Sequence, residues 1–235
     1  MKIKHTWLFI ISGIFALPLF SQNEEKEEVD TIKTYMLRLG VDVVKPIRTG
    51  LEINYQGIEL VGDLSLNNRY SIAAEVGNEK TIRQDEQLNY TASGSYLKMG
   101  IDYNFYKNWK GMNNALFLGV RLGRSSYKTT INSYSLLAND TYFDMPITTQ
   151  GYLTGELNGQ NATWIEVLFG TKVEVVSNLY VGISIRAHRL LNKTLPNNFG
   201  NLYSPGFNKI TDDNKFGASL NYTLTYALPF RFKKN

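Results

Sequence analysis

The chain contains long segments in which every second residue is apolar. The clearest of these segments lies near its end, where alternate positions are all apolar: Phe216, Ala218, Leu220, Tyr222, Leu224, Tyr226, Leu228, Phe230 and Phe232. The residues between them from 217 to 225 are small or polar. A side-chain period of two predicts a β-strand with one apolar and one polar face. This strand is longer than the five or six residues that are typical of globular sheets.

Eight segments share this alternation, and they begin near residues 35, 58, 70, 97, 116, 165, 179 and 216. Three connectors are short: Asn67-Asn68, 106–114 and Ser177-Asn178. The others are longer: 45–56, 77–92, 128–162 and 191–214. Strict alternation of short and long connectors is typical of outer-membrane barrels, with periplasmic turns and extracellular loops. We therefore predict an all-β fold, a transmembrane antiparallel up-and-down β-barrel of eight strands. The count rises to ten if 130–137 and 146–154 form an extra hairpin instead of prolonging their neighbours.

Alternation alone is also compatible with a soluble up-and-down barrel or sandwich, whose apolar residues would face inward. The mean hydropathy of −0.24 does not exclude a membrane barrel, because half of each strand is polar. Strand length, the asymmetry of the connectors and the N-terminal segment favour the membrane. In that case the apolar residues face lipid, and an aromatic girdle is expected near the periplasmic ends: Tyr35, Tyr70, Phe105, Phe230 and Phe232.

The N-terminal segment has the features of a secretory signal peptide. Lys2 and Lys4 precede an apolar run, and Ser21 offers a small residue for cleavage before Gln22. The alternative is an uncleaved anchor. We divide the chain into a signal peptide at 1–21, an acidic, disordered periplasmic lead-in at 22–34 and a barrel domain at 35–235. Removing residues 1–21 takes two lysines from a net charge of +4 and leaves +2. That charge and the absence of a basic stripe do not indicate nucleic acid binding.

The inward positions of the predicted strands carry many charges. Acids and bases nearly balance, and the set reads Arg38, Asp42, Glu59, Asp63, Glu75, Lys98, Asp102, Arg121, Glu166, Lys172, Glu174, Arg186 and His188. Eight strands enclose an interior just wide enough for side chains to fill. We therefore predict an ion-paired polar lumen, with a narrow pore as the alternative.

Catalytic and metal-binding motifs are absent from the sequence. The chain has no cysteine, no HExxH, no P-loop and no Gly-rich dinucleotide motif, so we predict no cofactor and no metal site. His188 is the one histidine after the signal segment, so a lipid-modifying hydrolase would have to use it as the base. Loop 128–162 is rich in Tyr, Thr, Asn and Gly and is a candidate site for an extracellular ligand.

The chain resembles the small outer-membrane barrels of the OmpX/OmpA-transmembrane type. The resemblance covers about residues 35–232 and depends on the repeated alternation and on aromatics in the last strand at Tyr222, Tyr226, Phe230 and Phe232. The C-terminal strand of such barrels usually ends on a terminal aromatic residue, whereas Lys233, Lys234 and Asn235 follow here. The style of the strands is also similar to uncharacterised outer-membrane families of Bacteroidetes.

The resemblance implies a chain exported by Sec and inserted into the bacterial outer membrane by the barrel assembly machinery. Its expected partners are outer-membrane lipid and lipopolysaccharide, and nucleic acid is not among them. We predict a non-enzymatic barrel that acts in envelope integrity or in surface contact through loops 77–92, 128–162 and 191–214. A small pore or transporter and a hydrolase based on His188 are the alternatives.

Overall fold

The part of the chain that the structure describes forms a closed antiparallel barrel. The computed structural model describes residues 32–85, 88–107, 113–134, 154–194, 202–207 and 215–233. Within them, each strand pairs with the next along the chain and the sheet closes on itself. The strands are β1 (Ile32–Asp42), β2 (Tyr55–Ser65), β3 (Tyr70–Gln84), β4 (Leu88–Asn104), β5 (Ala115–Tyr134), β6 (Gly155–Val176), β7 (Leu179–Lys193) and β8 (Phe216–Lys233). The predicted eight-stranded up-and-down barrel is confirmed, and the described residues show no extra hairpin.

The orientation of the side chains follows the predicted parity. Ile101, Leu122 and Ile185 are 57%, 56% and 63% exposed on the outside, whereas Arg121 and Arg186 are 3% and 4% exposed inside. This is the opposite of the soluble alternative, in which apolar side chains would fill the interior. We call the exposed outward apolar residues of all eight strands the apolar belt.

Two turns define what we call the lower end of the barrel. Residues 177–178 connect β6 to β7, and Asn178 has a φ of 65°, a conformation that asparagine tolerates better than most residues. Residues 66–69 connect β2 to β3, two residues more than predicted. There the Asn67 side chain accepts hydrogen bonds from the backbone N–H groups of Arg69 and Tyr70 at 2.8 and 2.7 Å.

The strands β3 to β6 continue at the upper end far beyond the predicted bounds. The connector predicted at 77–92 is mostly strand, because β3 runs to Gln84 and β4 begins at Leu88. Likewise β5 reaches Tyr134 and β6 begins at Gly155, so much of the predicted loop 128–162 is strand as well. We call these upper parts of β3 to β6 the rising wall. The prediction ended these strands too early because the outward residues of the rising wall are polar. The alternation of apolar and polar residues is lost there, although the backbone hydrogen bonding between the strands continues.

The polarity of the two faces reverses along these strands. In the lower part of β4, Ile101 faces outward and Lys98 inward, whereas in its upper part Ser95 faces outward and the buried Tyr90 inward. In β5, Leu122 is the last outward apolar residue before Arg124, and Tyr127 and Ile131 are buried inside. The lower barrel is thus apolar outside and charged inside, and the rising wall is polar outside and aromatic inside.

A short helix, α1 (Val44–Leu51), follows β1 directly. The prediction had treated residues 45–56 as a loop. Because α1 is an eight-residue helix, it is also far too short to cross a bilayer, and no helix among the described residues is long and apolar enough to do so. β1 begins at Ile32, within the segment 22–34 that was predicted to be disordered. The predicted signal peptide and residues 22–31 lie outside the described residues.

Candidate functional site: a filled, charge-paired lumen

A cluster of buried charges occupies the middle of the lumen. Glu75 on β3 binds Arg186 of β7 at 2.6 Å, Lys98 of β4 at 3.3 Å and Arg121 of β5 at 3.5 Å. Glu166 on β6 shares two of these bases, Arg186 at 3.3 Å and Lys98 at 3.8 Å. Each of these side chains is at most 4% exposed. Strands on opposite sides of the barrel are therefore connected through its interior by ion pairs.

A second cluster lies nearer the lower end. Arg38 of β1 binds Asp63 of β2 at 2.6 Å, and Lys172 of β6 binds the other oxygen of Asp63 at 2.7 Å. Asp102 binds Arg121 at 2.7 Å and lies 3.8 Å from Lys172, so it connects this cluster to the central one. Every charge named in the two clusters has an opposite charge within salt-bridge distance, which offsets the cost of removing it from water.

The space left between these side chains is small. A cavity of about 30 Å³ is lined by Asp63, Glu75, Phe117 and Lys172, among others. That volume accommodates one or two water molecules. The described lumen is therefore filled by side chains at this level, as expected for a barrel of eight strands.

Residues 202–207, which we call the plug segment, lie inside the upper barrel. Tyr203, Ser204 and Phe207 have no measurable exposure. The Phe207 ring packs against Trp164, with 5.8 Å between ring centroids, and against His188 at 4.7 Å. The prediction had placed 191–214 in a surface loop, and for the plug segment that was wrong.

Glu79 on β3 binds the plug segment from the side of the barrel opposite β7. Its carboxylate accepts a hydrogen bond from the Tyr203 hydroxyl at 2.7 Å and another from the backbone N–H of Gly206 at 2.9 Å. Burial and the neighbouring Glu79 carboxylate raise the pKa of Tyr203 well above its ordinary value, so its hydroxyl remains a donor. Gly206 has a φ of +79° and a Cβ there would lie 2.6 Å from the Tyr96 ring, so both backbone and space require glycine.

Lys45 of α1 completes the arrangement at Glu79. Its ammonium group forms an ion pair with Glu79 and lies 3.6 Å from Glu59. Glu59 in turn binds Lys98 at 3.2 Å and accepts a hydrogen bond from the Tyr96 hydroxyl at 2.5 Å. The plug segment, α1 and the central charge cluster therefore belong to one continuous network.

The structure buries most of the thirteen residues that the sequence assigned to the lumen; Lys172 and Glu174 are the two that stay half-buried. Two acidic residues among the thirteen, Asp42 and Glu174, form no salt bridge within the described residues, although Asp42 accepts a hydrogen bond from the Asn221 side chain of β8 at 2.5 Å. Asp42 accepts the backbone N–H of Val44 at 2.8 Å and so supports the start of α1. Glu174 accepts hydrogen bonds from the backbone of Asn178 and the hydroxyl of Tyr180, at the lower turn.

Sequence reasoning missed the residues of the upper lumen. The unpredicted members are Lys45, Tyr55, Glu79, Tyr96, Trp164, Tyr203 and Phe207. For Glu79 a signal existed, since it continues the inward parity of Glu75 by two further steps. Lys45 and the plug segment belong to stretches without alternation, so no periodic signal indicated that they face inward.

His188 lies inside β7, next to the plug segment. Its ring contacts Phe207, and a Cβ at Gly217 would lie 2.3 Å from its Nε2 atom. In the described part of the chain, the ring nitrogens make no hydrogen bond to another side chain. Ser184, which shares the inward face of β7 with His188, accepts a hydrogen bond from Arg186 at 3.4 Å. Groups of three or more potential metal ligands are also absent from the residues described.

Aromatic side chains lie on the outside of the lower barrel. Tyr70 is 47% exposed and its ring is 5.3 Å from that of Tyr103, and Phe105 stacks on Phe169 at 6.0 Å. Tyr103 and Phe169 lie on the same outer face as Tyr70 and Phe105. Tyr35 is half-buried. The side chains of the other two predicted members, Phe230 and Phe232, lie outside the described residues.

Comparison with known proteins assigns the chain to a family. Residues 3–234 match the family described as "Domain of unknown function (DUF6048)", and the chain belongs to it. No curated protein matches. Among solved structures, the chain is similar to the outer membrane protease OmpT from Escherichia coli. The identity is 13% and the TM-score 0.34, over 86% of this chain and 93% of the other.

Proposed function

We propose that this protein is a non-enzymatic outer-membrane β-barrel whose lumen is closed by its own side chains. It acts in envelope integrity or surface contact through the rising wall, which projects from the outer surface. In this proposal the protein is exported by Sec, its N-terminal segment is a cleaved signal peptide, and its barrel is of the small OmpX/OmpA type. Its partners are outer-membrane lipid and lipopolysaccharide, with the barrel assembly machinery during biogenesis.

The reversal of polarity along the strands is the observation that supports a membrane location. An apolar exterior around a charged interior is stable where the exterior contacts lipid. A polar exterior around an aromatic interior is stable where the exterior contacts water. Both arrangements occur on β4 and β5 with unchanged parity, so we infer that these strands cross from lipid into water just above Leu97 and Leu122. Arg124 faces outward at that boundary, where a charge costs only about 0–1 kcal/mol.

The filled lumen supports a closed barrel over a pore. The central charges are paired, the cavity between them admits only one or two waters, and Phe207 fills the space above them. An ion would have to displace paired side chains in order to pass. For the hydrolase alternative, His188 lies beside the Phe207 ring, the Gly217 backbone and its cross-strand neighbour Glu166, whose carboxylate is already paired with Arg186. We therefore keep the non-enzymatic function as the proposal.

Two measurements test this function together. In outer-membrane fractions, the protein should migrate differently on gels when unheated and when boiled, because a membrane barrel stays folded in cold detergent. The same purified protein should leave planar bilayers without discrete conductance steps. Recovery in the soluble periplasm without a heat-dependent shift would contradict the membrane location. Regular conductance steps that persist after repurification would favour the pore.

A further inference from the structure

The barrel wall has a gap next to β1. The pairing of β1 with β2 extends upward only to Val41 and Leu60, whereas β2 continues to Tyr55 along β3. On the other side, the backbone N–H of Val43 bonds to the carbonyl of Tyr222, and β8 continues above that point to Phe216. Between β2 and β8 there is therefore no strand above Val43 among the described residues. We call this space the wall gap.

The helix α1 lies along the β2 side of the wall gap. Its Thr49 hydroxyl accepts a hydrogen bond from the backbone N–H of Gly57 at 2.8 Å, a group that β1 would bond if it continued upward. Lys45 extends inward to Glu79 and Glu59, and the Arg48 guanidinium lies 3.9 Å from the centroid of the Tyr55 ring. The contacts of these α1 side chains with the barrel are therefore made on one side of the helix, and Arg48 also pairs with the exposed Glu52 at 2.8 Å.

The opposite side of α1 is exposed and carries no charge. A helix turns 100° per residue, which places Lys45, Arg48 and Thr49 within one 100° arc and Pro46, Ile47, Gly50 and Leu51 in the remaining arc, with Leu51 60° from Arg48. Ile47 is 58% exposed and Leu51 is 81% exposed. A surface helix of a water-soluble protein turns its apolar face to the core and its polar face to solvent. In α1 this orientation is reversed.

The exposed face of α1, a helix that packs against β2, lies level with apolar-belt residues on the two strands that flank the wall gap. On β2, Ile58 and Leu60 are each 52% exposed, and on β8, Phe216 and Leu220 are 62% and 60% exposed. Because β1 stops at the level of Tyr222, the helix begins within the height of the belt and not above it. The chemistry that matches an uncharged helical face between two lipid-facing strands is that of acyl chains and the adjoining headgroup region.

We propose that α1 is a helical part of the barrel wall whose outer face, formed by Ile47 and Leu51, binds the outer leaflet of the membrane. The partner is a lipid surface, and the inner face of the helix is held by Glu79, Glu59 and Tyr55. This inference depends on the proposed membrane location. It adds that the membrane contact of the protein is partly helical, at the wall gap.

The absence of cysteine from the chain allows a direct test. Single variants Leu51→Cys and Ile47→Cys are labelled with nitrobenzoxadiazole in the full-length barrel, which is reconstituted in phosphatidylcholine vesicles. Quenching by lipids brominated along the acyl chain then reports contact with lipid. Ile183→Cys, in the middle of the belt, is the lipid-facing reference, and Asn132→Cys, on the polar outer face of the rising wall, is the water-facing reference.

We expect quenching at both α1 positions to be at least half of that at Ile183→Cys, with Asn132→Cys unquenched. If the two α1 positions match Asn132→Cys while Ile183→Cys is quenched, the inference is wrong and the membrane barrel stands. If Ile183→Cys is also unquenched, the proposed membrane location fails, and the inference fails with it. Two labelled positions on the same face prevent a local folding defect at one of them from deciding the result.

Discussion

Replacing Arg186 by methionine should strongly destabilise the barrel. Arg186 is 4% exposed and neutralises Glu75 at 2.6 Å and Glu166 at 3.3 Å. Removing one member of a buried ion pair costs about 3–5 kcal/mol, because the remaining charge is left uncompensated. Lys98 and Arg121 still contact Glu75 in the variant, so we expect a loss near the lower bound, about 3 kcal/mol. That loss corresponds to roughly a 150-fold change in the folding equilibrium.

The free energy of unfolding is measured by urea titration in lipid vesicles, with the heat-dependent gel shift as a second readout. Arg124→Met is the matched control, because it removes the same charge from an exposed outward position and should change stability by less than about 0.5 kcal/mol. The double variant Glu75→Gln with Arg186→Met should lose less than the sum of the two single losses. Equal stability of Arg186→Met and Arg124→Met would refute the ion-paired lumen. A gain in conductance without a loss of stability would favour the pore.

Three further substitutions test other parts of the structure. Ile183→Arg should prevent assembly into vesicles, because an arginine facing lipid near the bilayer midplane costs about 2–4 kcal/mol. Gly40→Ala should lower the urea midpoint by the equivalent of about 1–3 kcal/mol, since its Cβ would lie 1.9 Å from the Leu224 carbonyl oxygen. Phe207→Ala should release the plug segment and speed chymotrypsin cleavage after Tyr203 in the folded barrel, because the fully buried ring is lost.

Each of these substitutions has a control in the same chain. Ile183→Thr should assemble normally, and if Ile183→Arg did so too, the inside and outside faces would be assigned wrongly. Gly50→Ala, where a Cβ meets nothing within 4 Å, should be neutral or slightly stabilising. Phe216→Ala, at an exposed ring, should leave cleavage after Tyr203 slow. Equal cleavage rates in Phe207→Ala and the unmodified protein would show that Phe207 does not hold the plug segment.

The lower barrel was predictable from the sequence because its two faces differ in polarity. From Leu97 to Tyr103 the outward residues are apolar and the inward ones are charged or small, so parity alone assigned the orientation of Lys98 and Asp102. The turn at Ser177-Asn178 was also predictable, since asparagine accepts the positive φ that the structure shows. The alternation assigns a side chain to a face but does not say which side chains are in contact. The pairing of Glu75 with Arg186 could be seen only in the structure, where the closed barrel brings β3 and β7 together.

The upper barrel was not predictable for a physical reason. In β3 above Val76, outward Asn78 and Lys80 alternate with inward Glu79 and Thr81, so both faces are polar and no period appears in hydropathy. The strand persists there because its backbone pairs with β4 up to Gln84. The plug segment depends on contacts between residues far apart in the chain, such as Tyr203 with Glu79. A scan for local periodicity cannot detect such contacts.

The contact between β1 and β8 has a consequence for how the barrel forms. β1 and β8 lie at opposite ends of the chain, so their contact closes a loop that contains all the other strands, and loop-closure entropy opposes it more than any hairpin. At its upper end this contact stops at Val43, whose backbone N–H bonds to the carbonyl of Tyr222, and α1 begins at the next residue. Contacts of high sequence separation form slowly. The seam between β1 and β8 should therefore close last during folding, and its amides should exchange with solvent before those of the hairpins.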